Sequence, residues 1–122
     1  MSKVFVDTNI LVYTLDTRDP AKQASARRML AKLVEANSAV ISTQVLNELY
    51  VVATTKLKVD PLVAKSIVHS FRHIEMVETD LALIEQAIDI SVIFQLSYWD
   101  SLIVAAAEKA NCDVLLSEDL NP

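Results

Sequence analysis

The sequence predicts an α/β fold, a central parallel sheet of four strands with helices on both faces, and three observations lead there. Short β-branched and aromatic runs alternate with segments of helical period, and strands that alternate with helices pair parallel because right-handed crossovers lay each helix over the sheet. The chain of 122 residues and 13.5 kDa has the size of one domain. Its 52% hydrophobic content and mean hydropathy of +0.33 supply a buried core, which excludes a disordered chain. No repeat, linker or low-complexity segment divides residues 1–122, so a single domain is expected.

Each element follows from a local signal. Val4-Phe5-Val6 is a β-type run that ends on Asp7. Over residues 21–36, Ala26, Leu30, Leu33 and Val34 recur at helical spacing, with Lys22, Arg27, Arg28 and Lys32 on much of the other surface, a pattern read as a solvated face. Asn37-Ser38 closes that helix and Ala39-Val40-Ile41 forms the second strand. Thr43 is placed to cap a helix from 44 to about 57, and Asp60-Pro61 starts another that runs to about 73. Ile74-Glu75-Met76-Val77 reads as the third strand, Thr79 caps a helix through Val92, and Ser97 opens one over Leu102 to Ala107. Val114-Leu115-Leu116-Ser117 is the fourth strand, followed at once by Glu118-Asp119.

Composition narrows the chemistry. Glycine is absent, so no Walker loop, dinucleotide fingerprint or glycine-cradled phosphate site exists, and phosphate chemistry falls to side chains. Asp and Glu number 16 against 11 Lys and Arg, a net charge of −5, which argues against a duplex-binding domain that works by neutralising phosphates. A nuclease survives that argument, since bound divalent ions reverse the local field. The single cysteine, Cys112, has no intrachain partner and fits a reducing compartment as an inert packing residue. The N-terminal apolar stretch is too short for a signal peptide and no run approaches the ~18 residues of a membrane span, so a cytoplasmic protein with no membrane contact is expected.

The strand pattern singles out certain acids. Ligands of open parallel sheets bind beyond the carboxyl ends of the strands, and Asp7 and Asp119 stand at two of those ends. Glu48 lies near the start of the helix after the second strand, and Asp100 in the first turn after Ser97, so both belong to helix starts that gather at the same rim. Ser97-x-x-Asp100 also has the form of a capping box, a role compatible with a site. Converging carboxylates repel one another unless a cation fills the cluster, and a hard ion with octahedral oxygen preference, Mg²⁺ or Mn²⁺, is its natural occupant. The chemistry that follows is metal-assisted hydrolysis of a phosphodiester.

Val4-Phe5-Val6-Asp7-Thr8-Asn9-Ile10-Leu11 and Ile41-Ser42-Thr43-Gln44-Val45-Leu46-Asn47-Glu48 resemble the first two motifs of PIN-domain ribonucleases. Tyr98-Trp99-Asp100-Ser101-Leu102 and Leu115-Leu116-Ser117-Glu118-Asp119-Leu120 resemble the other two, in order and over nearly the whole chain, with the VapC-type toxins of toxin–antitoxin pairs most similar. The resemblance implies a PIN-like three-layer sandwich with the first strand central and the fourth beside it, and Asp7, Glu48, Asp100 and Asp119 as the quartet that holds Mg²⁺ or Mn²⁺. It also implies Asn9 and Ser117 as supporting polar groups, an RNA substrate, a homodimer, and an antitoxin protein that blocks the site. The family's usual fifth strand lies beyond the last acidic motif, where this sequence ends at Asn121-Pro122, so a four-stranded sheet with that strand missing is expected.

Two other function classes fit some residues. A phosphatase using Asp7 as nucleophile resembles the haloacid dehalogenase type, although Asn9 stands where that chemistry wants a second Asp. A catalytically impaired interaction module would use the acid pocket to receive basic residues of a partner. His69 and His73 have the spacing of a zinc pair on one helix face but lack the Glu after the first His, and read as a solvated or half-buried pair. Tyr98 and Trp99 read first as core packing at a helix start and second as base-stacking groups.

Overall fold

The computed structural model describes residues 2–117, and Glu118 and Asp119 lie outside them. Four strands, β1 (Val4–Val6), β2 (Ala39–Ser42), β3 (Glu75–Val77) and β4 (Val114–Leu116), form one parallel sheet in the order β3-β2-β1-β4. Six helices connect them: α1 (Thr8–Leu15), α2 (Pro20–Glu35), α3 (Thr43–Thr55), α4 (Pro61–Ser70), α5 (Leu81–Phe94) and α6 (Tyr98–Lys109). The two steps β1 to β2 and β2 to β3 run in one direction across the sheet, and right-handed crossovers place α1–α4 on one face. The return from β3 to β4 passes back over β2 and β1, which puts α5 and α6 on the opposite face. Contacts follow that division: α1 packs on α2 and α3, α3 on α4, and α5 on α6.

The two middle strands carry the core. Phe5, Val6, Val40 and Ile41 are fully buried, and Leu11, Val45, Leu49 and Ala87 close over them from the helices. Among the described residues no single helix is long and apolar enough to cross a membrane.

Several boundaries differ from the sequence reading for local reasons. Helix α1 begins directly on Asp7, whose Oδ1 accepts the Thr8 N–H at 2.7 Å, and it buries Ile10, Leu11 and Thr14; with no turn residues between strand and helix, its onset carries no punctuation in the sequence. Ser42, completely buried, caps α3 by accepting the Val45 N–H at 3.3 Å, so Thr43 is the first helical residue instead of the cap. Asp80 caps α5 at Leu83, and Thr79 instead bonds to Thr43, tying the end of β3 to the start of α3. Helix α4 stops at Ser70 and gives way to a 3₁₀ turn over Phe71–His73, so His69 and His73 do not share one helix face, and both are exposed. Arg27 donates to the Thr14 carbonyl at 2.8 Å, which anchors α2 to the end of α1.

Glycine's absence has a backbone consequence. Among the described residues, Asn37, Lys58, Gln95 and Asn111 take left-handed conformations with φ between 54° and 59°, places where helices commonly end on glycine. Asn tolerates that region; Lys58 and Gln95 carry the full steric cost of a Cβ there.

Candidate active site

The carboxyl ends of the strands and the starts of α1, α3 and α6 meet at one edge of the sheet. A cleft of about 280 Å³ opens there, lined on one side by Asp7, Thr8 and Asn9, and on the others by Gln44, Glu48 and Asp100. Tyr13, Val52 and Lys56 extend it away from the acids.

Asp7 is held at both oxygens. Its Oδ1 takes the Thr8 N–H, and its Oδ2 takes the hydroxyl of Ser117 at 2.8 Å. The second bond follows from register: Val6 pairs with Leu116, Asp7 N–H donates to the Leu116 carbonyl at 3.1 Å, and the next residue of β4's chain therefore stands beside Asp7. Ser117 is buried, which makes this a shielded, oriented contact.

Glu48 is reached from three sides. Thr8 Oγ1 donates to its Oε1 at 3.2 Å, across from α1 to α3. Desolvation raises its pKa above the ordinary carboxylate value, the charges of Asp7 and Asp100 add to the rise, and the hydrogen bonds from Thr8 and Gln44 oppose it. Glu48 thus shares the cleft with both other carboxylates. Gln44, one turn earlier and nearly buried, also donates through Nε2 to the Trp99 carbonyl at 3.3 Å, which joins α3 to α6 beside the acids. At the start of α6, Ser97 Oγ accepts the Asp100 N–H at 3.1 Å while the Asp100 carboxylate lines the cleft, so the cap and the site share one turn.

The structure thus brings Asp7, Asn9, Glu48 and Asp100 to one cleft and sets Ser117 against Asp7, whereas Asp119 lies outside the described residues. Among the described residues, no three His, Cys, Asp or Glu side chains are arranged to hold a metal ion by themselves. The donor chemistry still suits a hard cation. All three acids offer oxygen, and the Asn9 amide, whose Oδ1 and Nδ2 are both buried without a hydrogen-bond partner, lines the same cleft.

Thr8, Gln44 and Lys56 were not singled out from the sequence. A stripe at i, i+4, i+8 and i+12 that runs along α3 to its C-cap (Gln44, Glu48, Val52, Lys56) holds the signal for two of them. Cys112 is half-buried with its thiol pushed up, first by burial, in keeping with an inert role. Trp99 corrects the core-packing expectation: it is 64% exposed at the rim of the cleft, while Tyr98 packs against the core.

Fold and cleft together define an α/β domain that collects carboxylates at the carboxyl edge of a parallel sheet. The chain belongs to the PIN domain family, whose model matches residues 4–121. Among solved structures it is similar to the Mycobacterium tuberculosis toxin VapC20, a sarcin–ricin loop cleaving toxin, at 20% identity over 96% of this chain and 92% of that one, with a TM-score of 0.78. It is also similar to VapBC2 from Rickettsia felis bound to a promoter DNA fragment, at 19% identity over 96% and 88% of the two chains, with a TM-score of 0.70. DNA-bound VapBC from Salmonella typhimurium follows at 19% identity, 92% and 83% coverage and a TM-score of 0.65. No curated protein sequence matches the chain.

Proposed function

We propose that this PIN domain is a divalent-metal-dependent endoribonuclease, Mg²⁺ or Mn²⁺ being the cofactor, and that it is the toxin of a toxin–antitoxin pair. The observation that carries the nuclease reading is that Asp7, Glu48 and Asp100, from three separate segments, line one cleft. Membership of the PIN family supports it, and the likeness to VapC and VapBC structures supports the toxin reading.

Asp7, Glu48 and Asp100 would hold the ion, with Asp119 as the fourth ligand and Asn9 and Ser117 in support. The ion supplies Lewis acidity at the phosphodiester and a charge that offsets phosphate and carboxylates alike. Asp7 presents a fixed carboxylate, because Thr8 and Ser117 occupy one lone pair on each of its oxygens. Glu48, which takes a hydroxyl donor from Thr8, is suited to position the attacking water beside the ion. The partners that go with this reading are RNA, an antitoxin and a second copy of the chain. Val92, Ile93 and Phe94, 72, 70 and 67% exposed at the end of α5, offer an apolar surface for a protein partner.

The test is cleavage of RNA with Mn²⁺ or Mg²⁺ by the native protein and by Asp7→Asn. The variant is expected to lose about 100-fold or more of the rate, in line with removal of one group that stabilises developing charge. Equal activity from both proteins refutes the assignment.

A further inference from the structure

Trp99 poses a physical question that the acid cleft does not answer. A tryptophan gains more than most side chains from burial, yet Trp99 is left 64% exposed beside Asp100. It is not loose. Tyr98, itself packed on the core, meets it edge-on with ring centroids 5.3 Å apart and planes at 65°, and Gln44 holds its carbonyl at 3.3 Å. The ring is an oriented flat surface facing solvent.

Its position is as specific as its orientation. Trp99, Gln44 and Glu48 line the acid cleft and also a second hollow of about 600 Å³ next to it. That hollow is floored by buried Leu102, with Asn47 and the hydroxyl groups of Thr43 and Thr79 around it. An apolar floor, amide and hydroxyl groups at the edge and an aromatic wall suit a planar heterocycle with hydrogen-bonding edges.

Charge makes the same demand from another direction. The protein carries a net charge of −5, and among the described residues that line the cleft Lys56 is the one cation. Beyond the one phosphate that the ion would meet, a strand of nucleic acid held there gains little from phosphate contacts, so its bases must contribute. A duplex hides its base faces, which leaves a single strand, and the nuclease reading makes that strand RNA.

We propose that Trp99 is the platform on which a nucleobase flanking the scissile phosphate of single-stranded RNA stacks, with the adjoining hollow of Thr43, Asn47, Thr79 and Leu102 receiving that base. This rests on the nuclease reading and adds to it a substrate subsite and a preference for unpaired bases. Trp99 is a substrate-positioning residue; it takes no part in the bond cleavage.

Trp99 is the sole tryptophan of the chain, so its emission reports this contact without any substitution. Stopped-flow fluorescence of the native protein with Mg²⁺ or Mn²⁺ is read against three probes: a single-stranded RNA octamer, the same octamer with abasic sites, and a duplex of the same sequence. The octamer is expected to quench Trp99, and the abasic octamer and the duplex to quench it less. Trp99→Ala should weaken octamer binding, read by anisotropy, about 5- to 150-fold, the span of one base–aromatic stack. KM should rise by more than kcat falls, with recovery in Trp99→Phe. Octamer binding by anisotropy with unchanged Trp99 emission, or equal quenching by the abasic octamer, overturns the stacking role and leaves the nuclease reading standing. An octamer neither bound nor cut with either metal overturns both.

Discussion

Ser117→Ala isolates the contact that aims Asp7. The hydroxyl donates to Asp7 Oδ2 at 2.8 Å from a buried position one residue beyond the last ladder pair of β1 and β4. A hydrogen bond to a charged group contributes roughly 1.5–3 kcal/mol. Asp7 is half-buried, so water replaces part of the lost donor and the lower figure, about 1.5 kcal/mol, applies. With unfolding entropy of about 2.1 cal/mol/K per residue, 122 residues give roughly 0.26 kcal/mol per kelvin, so the melting temperature should fall about 6 °C. Function should suffer more, because an unbraced carboxylate holds its ion in a wider range of positions; a loss of about 10- to 100-fold in metal affinity or cleavage is expected. Thermal melting in EDTA, metal titration and RNA cleavage read the three quantities, and a double-mutant cycle with Asp7→Asn assigns them to this pair. A melting temperature within about 2 °C of the native protein together with unchanged cleavage refutes the reasoning. An equal loss in the Asp7→Asn background does the same.

Two other predictions follow from separate features. The folded protein binds the Glu48 proton more tightly than the unfolded chain does, so this group costs metal-free protein stability as pH rises from the ordinary value of 4.5 through the raised one. In EDTA, Glu48→Gln should therefore melt above the native protein at pH 7, with the gap closing near pH 4; melting curves across that range check it, and a gap of opposite sign contradicts it. Gln95→Gly, at φ 54° after α5, should raise the melting temperature by about 2–4 °C, since glycine removes a left-handed penalty of about 1 kcal/mol and returns part of it as unfolded-state entropy. A fall on calorimetry would show that the Gln95 side chain contributes more than its backbone costs.

What was legible in the sequence is what local patterns encode. Val4–Val6 and Ala39–Ser42 stand out as apolar runs because the middle strands of a parallel sheet are covered on both faces. Val114–Leu116 is apolar too, though as an edge strand it is only partly buried, and the alternation of these runs with helical periods suffices for the fold class. Helix α1 was not legible, since it springs from Asp7 without a residue of turn between. The caps slipped by one residue at α3 and α5, because adjacent Ser42-Thr43 and Thr79-Asp80 offer two competent capping side chains each and only the approach of the chain selects one. Trp99 departs from the sequence expectation for a related reason: Tyr98 and Trp99 are equal as aromatics in the sequence, and the helix phase alone decides that one turns to the core and the other to solvent.

The acids at the rim show why a capping role and a site role need not compete. Asp7 caps α1, and Asp100 sits in the first turn of α6 behind the Ser97 cap. A helix start offers unsatisfied N–H groups and the positive end of the macrodipole, so it stabilises a carboxylate by about 0.3–1 kcal/mol before any cation arrives. Glu48 has no such support: it is the sixth residue of α3, past the reach of the helix start, and desolvation first, then the charges of Asp7 and Asp100, raise its proton affinity. The architecture therefore gathers negative charge at the one edge where the backbone partly compensates it, and adds to it, in the same cleft, an acid that no helix start supports. A divalent ion has most to gain beside that residue, and the cluster can persist in a folded protein without one.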